Sequence, residues 1–150
     1  MLRFANVYGP RDRDRVIPIW LERARRGEPL ELYGGDQVID FVWVGIAVTA
    51  LVAAASLQLS GPINVGSGMG VTLPHLAHRL LEETGSTSQL TILPARPVEV
   101  VRFVADVGRM QRVLGVMPEL EPLAHLRDCL AEYARPALSS APLRARRQSG

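Results

Sequence analysis

No Asp, Glu, Lys or Arg occurs between Asp40 and Arg79. An uncharged run of that length in a 150-residue chain has to leave water, into a protein core or into a bilayer. Its first nineteen residues, Phe41 to Leu59, match the length a helix needs to cross a membrane. The letters favour another division. Val38 to Val44 is β-branched and aromatic, as a buried strand is. Ala47 to Leu57 is Ala-rich and apolar on nearly every side, which predicts a deeply buried helix. Gly45, Thr49, Ser56 and Gln58 dilute the run further. A strand followed by a buried helix explains the stretch without a bilayer; a membrane-attached fragment is the alternative.

The remaining sequence divides into short elements. Leu2–Val7 reads as a strand ended by Gly9-Pro10, and Arg11–Arg15 as a charged loop. Val16–Arg26 is a helix with Val16, Ile17, Trp20, Leu21 and Ala24 on one stripe, stopped by Gly27 and Pro29. Leu30–Tyr33 is a strand and Gly34-Gly35-Asp36 a turn. Ile63–Val65 is a short strand leading to the turn Gly66-Ser67-Gly68. Thr72 caps a helix over Leu73–Thr84, with Pro74 tolerated in its first turn and Gly85 at its end. Leu90–Leu93 and Val100–Val104 are strands. Asp106 opens a short helix to Leu114, and a last helix runs from about Glu121 to Ala134 with Leu123, Leu126, Leu130 and Tyr133 inward. Residues 135–150 read as a disordered basic tail. Short strands alternating with helices give an α/β domain over residues 1–134.

Charge and cysteine content remove several kinds of function. The net charge is only +2, and the Arg-rich ends lack interleaved aromatics, which argues against nucleic acid as a partner. All 17 basic residues are Arg, so no step needing a lysine amine is run by this chain. Cys129 is the only cysteine; an internal disulfide and a paired-cysteine metal site are excluded. A lone thiol and the lack of an apolar leader at Met1-Leu2-Arg3-Phe4 point to a cytoplasmic protein. His75 and His78 share a helix face but show no obvious Cys or carboxylate partner for a metal, so they read as solvated. His125 shows no ligand pattern either, and no metal is expected.

Leu2-Arg3-Phe4-Ala5-Asn6-Val7-Tyr8-Gly9-Pro10-Arg11 resembles the segment after the catalytic helix of extended short-chain dehydrogenases, the NAD-dependent nucleotide-sugar epimerases and dehydratases. The resemblance continues in order through Val16-Ile17-Pro18, Gly27-Glu28-Pro29-Leu30, Tyr33-Gly34-Gly35-Asp36-Gln37, Asp40-Phe41-Val42, Gly61-Pro62-Ile63-Asn64-Val65-Gly66-Ser67-Gly68, Arg96-Pro97, Asp106 and Leu114-Gly115. It implies the last Rossmann strands plus a substrate-binding subdomain, without the dinucleotide-binding half. It implies that Asn6 bonds the phosphate region of a nucleoside-diphosphate sugar. Val16, Ile17 and Pro18 would line the base, and Arg96 would bind the diphosphate. Each has an ordinary alternative: a turn Asn, helix-start packing and a solvated Arg. Arg forks suit a diphosphate because they offer paired donors to its oxygens.

Departures from the pattern bear on the chemistry. Ile39 stands where many relatives carry a phosphate-contacting Arg; either that contact is missing or another residue such as Arg11 or Arg15 supplies it. Gly45 and Ile46 stand where an acidic pair opens the next helix, a loss of about 1 kcal/mol of capping. Val98-Glu99 replaces a Gly-Asp turn. The glycine-rich dinucleotide turn is not present, because Gly66-Ser67-Gly68-Met69-Gly70 follows a late strand. Nor is the catalytic Tyr-x-x-x-Lys pair: Tyr8, Tyr33 and Tyr133 are followed at that spacing by Asp12, Gln37 and Ala137. The expectation is therefore a substrate-gripping part of an NAD-dependent enzyme, with no catalytic residue and no NAD binding of its own, completed by a Rossmann half. A free-standing sugar-nucleotide or partner-binding module is the alternative.

Overall fold

The structure, a computed structural model, describes residues 1–97 and 100–133. Its strands are short and mostly parallel. Strands β1 (Leu2–Phe4) and β2 (Asn6–Tyr8) form one extended segment that changes partner at Ala5. β1 pairs with β6 (Ile63–Val65), and β2 pairs with β5 (Phe41–Trp43). At the change, the Ala5 amide donates to Val65 O (2.8 Å) and the next amide, Asn6, to Asp40 O (3.0 Å). β3 (Leu30–Tyr33) pairs with β8 (Leu90–Leu93). β4 (Val38–Ile39) lies between β7 (Val71–Thr72), antiparallel, and β9 (Arg102–Phe103), parallel.

Asp40 sits between β4 and β5, where the pairing changes, and it is fully buried. Its Oδ1 accepts from the Ser67 amide (2.8 Å) and the Ser67 hydroxyl (2.7 Å). Its Oδ2 accepts from the Gly68 and Ala105 amides, each at 3.0 Å. Four donors on one carboxylate offset the loss of water around a buried charge. The side chain thus ties the β6–β7 turn and the chain after β9 to the β4–β5 segment. Gly66 is required beside it, since a Cβ there would lie 2.7 Å from Asp40 Oδ2 and 2.9 Å from the Ala105 Cβ.

Helix α1 (Val16–Arg26) forms where the apolar stripe predicts it, burying Ile17, Trp20, Leu21 and Ala24. Gly27 ends it at φ 68°, its amide bonding Ala24 O while the Glu28 amide bonds Arg23 O. That left-handed residue is one glycine adopts without a Cβ penalty. Helix α3 (Leu73–Thr84) starts at Thr72, whose Oγ1 accepts from the His75 amide (3.3 Å). The Ser86 hydroxyl after α3 donates to Ala24 O (2.7 Å), fastening the two helix ends together. The main core lies among α1, α3, β3 and α4 (Leu126–Tyr133). A smaller core joins Ala50, Ile63, Val65, Met110 and Leu114.

Five expectations need correction. The strand read over Val38–Val44 is broken at Asp40, and α2 begins directly at Val44 and ends at Ala55. This helix is not deeply buried. Only Ala47 and Ala50 are enclosed, while Val48, Leu51 and Val52 are 53%, 52% and 66% exposed. An all-apolar composition predicts burial only if the helix has neighbours on every side, and among the described residues α2 has them on one. The strand expected over Val100–Val104 reduces to Arg102–Phe103, because β4 offers two residues before Asp40 diverts the chain. The last helix starts at Leu126. Before it, the Glu121 carboxylate accepts from the Leu123 amide (3.0 Å) and the Tyr8 hydroxyl from the His125 amide (3.4 Å), holding a turn. The expected short helix after Asp106 opens at Gly108, whose amide bonds Asp106 Oδ1 (2.9 Å), and winds as a π-helical turn over Met110–Leu114. Among the described residues no helix is long and apolar enough to cross a membrane. The Val98-Glu99 turn, the end of the last helix at Ala134 and the tail 135–150 lie outside the described residues.

Candidate functional site

The end of β2 and the start of α1 face Ile39 of β4, Phe41 of β5 and Leu73 of α3 across an open groove. One lobe, about 280 Å³, is lined by Asn6, Val7, Tyr8, Asp12, Arg15, Val16, Ile17, Ile39, Phe41 and Leu73. A second lobe of about 280 Å³ is lined by Trp20, Glu31, Tyr33, Gln37 and Val100 and shares Val16, Ile39 and Leu73 with the first. Those three apolar side chains border both lobes, which therefore adjoin. Each lobe alone falls near the lower limit for a small-molecule site.

Polar groups stand at the ends of the groove and apolar groups in the middle. At the first end, Arg15 donates from Nη1 to Val7 O (3.2 Å), with its Nε 3.8 Å from Asp12 Oδ1. Burial raises the Asp12 pKa, and the charge of Arg15 opposes the rise. Tyr8 forms the inner wall; its phenol is pushed well above the ordinary range by burial, so it stays protonated. At the far end the Arg96 guanidinium stacks 3.6 Å over the Tyr33 ring, a cation–π contact. There Glu31 bonds Arg23 (3.1 Å), and that bond lowers the Glu31 pKa. Gln37 holds the turn after β3, donating to Tyr33 O and accepting from the Gly35 amide.

The structure gathers three of the six site residues expected from sequence into one lobe: Asn6, Val16 and Ile17. Arg96 reaches the other lobe through Tyr33. Arg11 and Pro18 do not line the groove. Arg11 is exposed in the loop, with its backbone at φ 70°, and Pro18 is turned into the protein interior by the first turn of α1. Arg15, weighed as a substitute for the cation missing at Ile39, does line it. Tyr8, Phe41 and Leu73 were not expected there. Each reads in sequence as plain core, and only the approach of β2, β5 and α3 gives them a shared cavity.

Residues 1–66 match the model of the NAD dependent epimerase/dehydratase family. A dTDP-4-dehydro-6-deoxy-D-allose reductase from a Streptomyces species is 33% identical over 141 residues, covering 90% of this chain. The UDP-N-acetyl-alpha-D-glucosaminuronate decarboxylase of Bacillus cytotoxicus is 34% identical over 132 residues, 80% of the chain. The solved UDP-glucose 4-epimerase of Thermotoga maritima, held with UDP-glucose, superposes with a TM-score of 0.83 at 31% identity over 89% of the chain. By residues 1–66 the chain groups with the NAD dependent epimerase/dehydratase family. It spans 42% and 41% of the length of those two enzymes and 45% of the epimerase.

Within that family pattern, two departures acquire physical reasons. Ile39 lies where the two lobes join and makes the middle of the groove apolar. Gly45 is forced by Trp43: a Cβ at position 45 would meet the indole Nε1 at 2.7 Å. Trp43 is also the residue before α2, and no side chain caps that helix. Ile46, the second position of the expected acidic pair, packs on the smaller core instead.

Proposed function

We propose that this chain is the substrate-gripping part of an NAD-dependent nucleotide-sugar enzyme and that the groove takes a nucleoside-diphosphate sugar. The observation that carries the reading is a pair of adjoining lobes around Val16, Ile39 and Leu73, with Arg15 lining one and Arg96 stacked on Tyr33 of the other. The base packs on Val16 and Ile17 with Pro18 behind them. Asn6 and Arg15 serve one side of the diphosphate and sugar, with Arg11 in reach from the loop, and Arg96 serves the other. These groups bind and orient; acid/base chemistry and hydride transfer through NAD come from residues outside these 150, in a Rossmann half. The exposed face of α2, Val48, Leu51 and Val52, gives such a half an apolar surface to cover. A cytoplasmic setting fits the sugar-nucleotide substrate and the unpaired Cys129. The activity of the whole protein is epimerisation, dehydration, decarboxylation or reduction of the sugar.

The second reading, a binding module without catalysis, uses the same groove. Calorimetry tests both. UDP-glucose or dTDP-glucose binds the chain more tightly than uridine or thymidine, because the diphosphate engages the Arg ends. Arg96→Ala and Arg15→Ala each weaken binding about 10-fold, the loss of one charge-assisted bond of roughly 1.4 kcal/mol. Asp12→Asn strengthens it by removing a negative charge from the same lobe. Equal affinity for nucleoside and nucleotide sugar contradicts the proposal. Tight binding by the chain without NAD favours the module; weak binding that a dinucleotide-binding half restores favours the enzyme part.

A further inference from the structure

His125 is held on both ring nitrogens by carboxylates. Nδ1 lies 2.8 Å from Asp128 Oδ2 and Nε2 lies 2.9 Å from Glu119 Oε1. An ionised carboxylate only accepts hydrogen bonds, so both nitrogens must donate, and that state of the ring is the imidazolium. The ring stacks on Trp43, centroids 4.5 Å apart and planes at 16°. Trp43 meets Tyr8 edge-on at 5.4 Å, and the Tyr8 hydroxyl accepts from the His125 amide (3.4 Å). Tyr8 is the inner wall of the groove. One imidazole therefore joins the chain before α4 to β5 and, through β5 and its own amide, to the binding surface.

We propose that His125 is a proton-operated clasp: as an imidazolium it pins residues 119–128 to Trp43 and steadies the Tyr8 wall of the groove, and as a neutral ring it releases them. The clasp stands on this geometry and does not depend on what the groove binds. A neutral imidazole carries a lone pair on one nitrogen, which turns one of the two carboxylate contacts from attraction to repulsion. It also forfeits the cation–π contribution of the Trp43 stack. The charged groups around the site agree. Glu119 and Asp128 face the ring directly, Glu121 and the Cys129 thiol lie near Tyr8, and Asp12 lies on the loop before α1. Arg127 is bonded to Glu83 of α3. Burial disfavours the charged ring, but the hydrogen bonds and charges of Asp128 and Glu119 outweigh it and hold the pKa above the ordinary 6.5. With the folded pKa raised, the clasp is fully closed below the unfolded value and opens as pH rises through the folded one.

Two measurements on the full chain test this. The His125 ring C–H, followed by NMR against pH, gives a midpoint above 6.5 that falls in both Glu119→Gln and Asp128→Asn. Exchange of the His125 amide, corrected for its intrinsic pH dependence, loses protection across that midpoint, by about tenfold for each unit that the midpoint exceeds the ordinary value. In His125→Gln, which cannot titrate, the corrected protection is flat. A midpoint at or below 6.5 overturns the clasp. So does a midpoint unmoved by both carboxylate substitutions, or the same loss of protection in His125→Gln.

Discussion

Replacing Asp40 with Asn keeps size and shape and removes only the charge and one acceptor. The most favourable placement of the new amide puts its nitrogen where Oδ1 lies, because the Ser67 hydroxyl can rotate to accept from it. The Ser67 amide then faces a donor and is left unpaired inside the protein, at a cost of about 1–3 kcal/mol. The bond to the Ser67 hydroxyl, now the acceptor, and those from the Gly68 and Ala105 amides persist but lose their charge assistance, about 1 kcal/mol each. The other placement strands both the Gly68 and Ala105 amides and is worse. The expected loss is about 4–6 kcal/mol, against a total of roughly 5–15 for a domain of ordinary stability. Urea unfolding, with the slope unchanged, reads it directly. Asp40→Asn is then near the limit of folding at room temperature. A loss below about 1 kcal/mol would show that the four bonds to Asp40 contribute little, and that the strand exchange is held by apolar packing instead.

Gly45→Ala drives a Cβ into the Trp43 indole and should destabilise by about 1–3 kcal/mol; in a Trp43→Leu background the same change becomes nearly neutral, as thermal unfolding of the two pairs will show. The Cys129 thiol is buried and burial pushes its pKa up to about 12. It stays protonated through the physiological range, so an alkylating reagent at pH 8 should modify it only after denaturation; rapid labelling of the native chain contradicts that burial.

Legibility in the sequence follows the range of the interactions involved. Helices α1 and α3 are readable from local signals: an apolar stripe, Thr72 before the start of α3, and Gly27 and Gly85 after the ends. The α/β character and the family segments are readable for the same reason. The role of Asp40 is not, because its four donors belong to Ser67 and Gly68 in the β6–β7 turn and to Ala105 after β9. The exposure of α2 is not either, since composition describes the helix and burial describes its neighbours. In the groove, Asn6, Val16 and Ile17 were legible through the motif that surrounds them. Arg11 and Pro18 share those motifs, yet loop geometry and helix rotation carry both away from the lining. His125 has its partners at positions 43, 119 and 128, a grouping with no sequence spacing to reveal it.

The two adjoining lobes, one lined by Asn6, Val16 and Ile17 and the other by Tyr33 beneath Arg96, are proposed to hold a nucleoside-diphosphate sugar. Backbone amide shifts of the labelled chain, titrated with UDP-glucose and dTDP-glucose, test this most directly. Saturable shifts are expected at Asn6, Arg15, Val16, Ile17 and Tyr33, with Arg96→Ala weakening the titration and leaving the fold intact. Shifts confined to surfaces away from these residues, or no shift at millimolar ligand, would contradict it.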